Sequence, residues 1–306
     1  MSTRSSQFFY RATRPLLLSC IVFFSLVMLL PYQSHPAESQ SCALPDDYGK
    51  VVCRYNEGSP NQVYIIGIAH RDSLTRSNES RTPRVQAEVY KIGEWLIQNQ
   101  KVELLLPEGF FTVHPKGMRD KMTRSEALLA TSPEGNMKLL EKRFSNDRQY
   151  VNAEMLLKEN FPLLLRQVED KDLYQAVSEN IRRLAESKGN MEKTFLIRSE
   201  LDYQQKKRVG TMLQRIPGIV NEEFKEEQID NKKALFTIGL SHISDIIRYL
   251  GERRITVLSP LFTPAKHEDY INELNLAKED FGITIIIPKT LVNDPEVMEK
   301  NNLKAF

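Results

Sequence analysis

From Tyr48 onward, short apolar runs alternate with longer stretches in which apolar residues recur at helical spacing. Val51 to Tyr55 and Val63 to Ile68 are β-rich runs on either side of the turn cluster Asn56-Glu57-Gly58-Ser59-Pro60-Asn61, and together they predict a hairpin. Val85, Val89, Ile92, Trp95 and Leu96 share a helical face behind Pro83, so the spacing predicts a helix over 85–97. Val102 to Leu106 is a continuous apolar run that stops at Pro107-Glu108-Gly109, the pattern of a buried strand followed by a turn. Strand, helix and strand in this order make a βαβ unit with a right-handed crossover.

Residues 118–161 read as mainly helical, and Pro162 to Val168 as a short strand ending at Glu169-Asp170. Residues 171–230 are rich in Lys, Glu, Arg and Gln and predict a solvated helical insertion, interrupted at Gly189 and at Pro217-Gly218. The alternation then resumes, with strands at Ala234–Ile238, Ile255–Leu258 and Ile283–Ile287 and helices at Ser241–Leu250 and Glu268–Ala277. The expected fold class is α/β: a mainly parallel sheet flanked by helices, with a helical insertion around 171–230. In such sheets, sites form at the carboxyl ends of the strands.

At 306 residues the chain can bury a core without disulfide staples, and 13 Gly with 15 Pro exclude a collagen-like chain. Its 42 basic and 40 acidic residues give a net charge of +2, which excludes the basic footprint of a nucleic-acid binder. The excess is local. Residues 1–37 hold Arg4, Arg11 and Arg14 and no acidic residue, so 38–306 carry 39 basic against 40 acidic residues.

Behind those arginines, Leu16 to Leu30 is an apolar run bounded by Pro15 and Pro31. This predicts that 1–37 is a signal peptide or N-terminal membrane anchor, that 38–306 is the working domain, and that the protein is exported, touching a membrane only through this segment. Ala37 offers a small residue for cleavage, but His35 stands where a second small residue is expected, so cleavage and anchoring both stay open. Export would let Cys42 and Cys53 close a loop or remain two thiols.

Two strands end on the same signature. Gly67-Ile68-Ala69-His70 closes one, and Gly239-Leu240-Ser241-His242 closes another. Glycine would let the backbone turn closely at the sheet edge, and each histidine would project into the crevice where the loops gather. Glu108 adds a carboxylate at the same edge. Two imidazoles and a carboxylate form a catalytic metal set, and His70, Glu108 and His242 are the candidate catalytic and metal-binding residues. The donor set suits Mn, Zn, Co or Fe alike. Such an ion would activate water for hydrolysis of a peptide or small-molecule carbonyl substrate; without it, one histidine would act as general base with Glu108 orienting it.

The paired GxxH motifs, with a glutamate closing the strand between them, resemble the superfamily that unites TraB/PrgY-type proteins, Tiki metalloproteases, ChaN-like haem-binding proteins and erythromycin esterases. The resemblance spans about residues 60–290, rests on Gly67, His70, Glu108, Gly239 and His242, and implies an EreA/ChaN-like form of the α/β fold with its site at the strand ends. It implies a metal-dependent hydrolase, peptidase or esterase-like, with a non-catalytic haem- or iron-binding protein or a peptide-binding regulator as alternatives. Positions 68 and 69 are Ile and Ala, where the esterase and ChaN branches often carry an acidic residue, so the simpler TraB/Tiki pattern fits better.

Arg71 and Asp72, directly after the first histidine, and Glu169 and Asp170, at a further strand end, are candidates for binding substrate or supporting the site. His114 reads as a surface-loop residue and His267 as an exposed helix start, while Tyr64 and Tyr90 fit core packing better than haem ligation.

Overall fold

The computed structural model describes residues 43–69, 80–111, 133–146, 151–187, 189–261 and 267–303. The unit Leu44–Phe306 is an α/β fold around a six-stranded, mainly parallel mixed sheet flanked by helices. In chain order its strands are β1 (Gly49–Tyr55), β2 (Asn61–Ile68), β3 (Leu104–Pro107), β4 (Leu164–Leu165), β5 (Lys233–Gly239) and β8 (Phe281–Pro288). They lie side by side as β1-β8-β2-β5-β3-β4. A separate antiparallel pair is formed by β6 (Arg254–Val257) and β7 (Tyr270–Glu273).

The helices are α1 (Thr82–Gln100), α2 (Pro133–Phe144), α3 (Ala153–Asn160), α4 (Lys171–Glu186), α5 (Met191–Lys225), α6 (Ile243–Glu252), α7 (Asn275–Lys278), α8 (Lys289–Val292) and α9 (Pro295–Lys300). A 3₁₀ turn, Leu240–His242, links β5 to α6. The central strands are buried almost end to end, as continuous apolar runs require when helices cover both faces of a sheet.

β2 connects through α1 to β3 on one side of it, whereas β5 leads through α6 toward β8 on the other. Right-handed crossovers in opposite directions put α1 and α6 on opposite faces. Between the carboxyl ends of the paired strands β2 and β5, the chain departs in two directions. This is the topological switch point, where a crevice opens in such sheets.

Several expectations are corrected. The runs 51–55 and 63–68 are both strands but not a hairpin: β8 lies between them, antiparallel to β1 and parallel to β2. A strand as wholly apolar as β8 cannot remain at an edge, and the 56–60 turn steps over its start. There Ser59 Oγ donates to Asp280 O at 2.5 Å and Asn56 Nδ2 to Asp280 Oδ1 at 2.7 Å. Gly282 permits the crossing, since a Cβ there would stand 2.6 Å from Asn56 O.

Pro217 does not interrupt its helix. α5 runs through it for 35 residues, with Pro217 buried beside Ile216 and Val220, so packing outweighs the lost backbone hydrogen bond. Gly189, at φ +92°, does mark the break before α5. The helix expected over 268–277 is instead β7 followed by the single turn α7, because residues 270–273 pair with β6.

Among the described residues no helix is long and apolar enough to cross a membrane. The segment 1–37, Cys42, His70, Arg71, Asp72 and His114 lie outside them. Cys53 is a free thiol on β1. Tyr64 and Tyr90 are core residues, bonded to Gln100 and Asn160 respectively at 3.1 Å.

Candidate functional site

Strand register brings the two GxxH strands together. Gly67 pairs with Ile238 and Ile68 with Gly239, and β3 flanks β5 with Pro107 opposite Thr237. The backbone N–H of Glu108 then donates to Thr237 O at 2.9 Å, which fixes this residue directly beyond the strand end.

The glycines act differently from the expectation. Gly239 has an ordinary φ of −54°, so it needs no special backbone freedom; its N–H donates to Glu108 Oε2 at 2.6 Å. Gly67 makes room: a Cβ there would meet Ile243 Cγ1 at 3.0 Å and Leu240 Cδ1 at 3.1 Å. These two residues flank Ser241 and His242, so Gly67 lets the His242 turn settle over β2.

Glu108 is nearly buried and held on both oxygens. Oε2 accepts from Gly239, while Oε1 stands 2.8 Å from Arg208 Nη1 and 3.6 Å from Nε2 of buried His242. Arg208 comes from α5, inside the stretch expected to be merely solvated. It is 5% exposed and also clamps Glu169, with Nε donating to Oε1 at 2.8 Å and Nη2 to Oε2 at 2.5 Å. One guanidinium therefore joins the ends of β3 and the β4–α4 connection. Burial alone would pull the Arg208 pKa down, but its bonds to Glu169 and the nearby Glu108 charge outweigh that, and the net shift is upward.

Glu169 is fully buried and further held by the N–H groups of Gly109 (3.1 Å) and Asp170 (3.3 Å). Gly109 adopts φ +73°, the left-handed conformation that glycine accepts without strain. Asp170 caps α4 through the N–H groups of Asp172 and Leu173, and Arg215 spans Glu169 O and Asp170 Oδ2 at 2.8 and 2.6 Å. Tyr174 lies under the Arg208 guanidinium at 5.3 Å and meets Phe111 edge-on at 5.0 Å, forming an aromatic wall.

The structure thus brings Glu108, Glu169, Asp170 and His242 together; it also adds Arg208, Arg215, Tyr174 and Phe111. His267 is elsewhere and is not an exposed helix start. Its Nε2 pairs with Glu200 Oε2 at 2.6 Å, and its ring packs 4.7 Å from that of Tyr203.

No family model, curated protein or solved structure matches this chain. Among the described residues there is no group of three or more His, Cys, Asp or Glu able to hold a metal ion. His242 and Glu108 supply a nitrogen and an oxygen donor. Nitrogen and oxygen donors of these types are ones that Mn, Zn, Co or Fe accepts.

Proposed function

We propose that the chain is a metal-dependent hydrolase, peptidase or esterase-like, acting on a peptide or small-molecule carbonyl substrate. The observation that carries this reading is the 3.6 Å approach of His242 Nε2 to a Glu108 carboxylate that is anchored on both oxygens, at the sheet's switch point. An anchored carboxylate presents its charge without reorganising during reaction. Arg208 holds Glu108 from the side of Glu169, and the turn built over Gly67 presents His242.

In this reading His242, Glu108 and His70 hold Mn, Zn, Co or Fe, which would bring the pKa of bound water toward about 7 and polarise the substrate carbonyl. Tyr174 and Phe111 wall the crevice beside Arg208 and give substrate an apolar surface. Arg71 and Asp72, which follow His70 in sequence, would bind substrate or support the site.

The side-by-side GxxH strands and the glutamate of the next strand also support the finer likeness to the EreA/ChaN-like fold of the TraB/PrgY–Tiki superfamily. Export, with tethering by residues 1–37, belongs to the same reading and is supported by the arginines ahead of Leu16 to Leu30.

The test is turnover of a peptide and ester panel by the purified chain. Hydrolysis should fall at least about 100-fold in His242→Ala and in Glu108→Gln. A parent protein that binds panel peptides without cleaving any would overturn the hydrolase reading in favour of a peptide-binding regulator.

A further inference from the structure

The chain reaches well beyond its site. α4 leaves the carboxyl edge of the sheet at Asp170 and returns as the first half of α5, so the two helices form an antiparallel hairpin. Met191, at the hairpin turn, stands seventeen residues before Arg208, which is about 26 Å of helix. Partway along, the hairpin is braced by the loop between β6 and β7: Tyr203 Oη donates to Glu268 O at 2.8 Å, and Glu200 pairs with His267.

Above that brace the hairpin buries Ile197 but exposes large apolar side chains. Met191 is 89% exposed and Phe195 60%. Around them residues 182–198 hold five basic residues (Arg182, Arg183, Lys188, Lys193, Arg198) against two acidic ones (Glu186, Glu192). Arg182, Arg183, Lys193 and Arg198 are exposed. Exposed Phe and Met ringed by Lys and Arg is the composition of a segment that settles into the headgroup layer of an anionic bilayer.

We propose that the tip of the α4–α5 hairpin docks on an anionic lipid surface. Met191 and Phe195 enter the headgroup layer, while Lys193, Arg198 and their basic neighbours pair with lipid phosphates and carboxylates. The crevice then faces the membrane from about 26 Å away. This inference is independent of the hydrolase reading.

The test places an indole at the tip of the full-length chain with Phe195→Trp, using the parent, whose one tryptophan is Trp95 in α1, as baseline. Vesicles of brominated phosphatidylcholine with phosphatidylserine should quench the added fluorescence about threefold, and Lys193→Glu with Arg198→Glu should at least halve that quenching. Position 195 is 60% exposed and the substitution keeps an aromatic ring there, so it disturbs little packing. An unquenched indole on vesicle-bound protein would overturn the proposal. So would equal quenching by phosphatidylcholine alone, or a lipid-independent change that grows with protein concentration, which would assign the tip to a second copy of the chain.

Discussion

Arg208 Nη1 lies 2.8 Å from Glu108 Oε1 while the rest of its guanidinium grips Glu169, so one buried cation holds two strand-end carboxylates in place. Removing it takes a buried counter-charge away from both anions. Arg208→Met should cost about 3–5 kcal/mol, read as a shift in the denaturation midpoint. Arg208→Lys should restore only part of this, because an ammonium cannot replace a planar fork that reaches two carboxylates. A loss below about 1 kcal/mol in Arg208→Met would mean that the clamp contributes little.

Gly67 connects packing to chemistry. Its missing Cβ is the space occupied by Leu240 and Ile243 on either side of His242. Gly67→Val should cost about 1–3 kcal/mol through overpacking and lower turnover more than thermal stability alone explains. Gly67→Ala should be milder on both counts. Unchanged turnover in the valine variant would separate the placement of His242 from this contact.

Glu88 provides a pH test away from the site. Burial raises its pKa above the ordinary 4.5, against the opposing bonds from Thr290 and Arg84. A carboxyl group whose folded pKa is raised contributes stability that is fully present below the unfolded value and is lost as pH rises through the folded one. Glu88→Gln cannot ionise, so its Tm relative to the parent should rise between pH 4.5 and neutrality. A constant difference across that range would contradict this sign.

Much of this architecture was legible because buried parallel strands announce themselves as unbroken apolar runs. β2, β3, β5 and β8 stood out that way, and Glu108 and His242 followed from what stands at their ends. The β1–β2 hairpin expectation fails because a local turn signal says nothing about a strand more than two hundred residues later that inserts between the two. Arg208 is hidden in the sequence because Lys206-Lys207-Arg208 looks like a solvated helix face. The available signal was periodicity: Arg208 stands one turn before Met212 and two before Ile216, both fully buried, and so heads an apolar stripe.

Whether His242 and Glu108, together with His70, hold a catalytic divalent ion is read from the metal content per chain after purification without chelators. The parent should carry about one equivalent of Mn, Zn, Co or Fe, lost in His242→Ala and in His70→Ala while both variants stay folded. Metal content unchanged by both substitutions, or a parent that hydrolyses its substrate with no ion bound, would contradict this assignment.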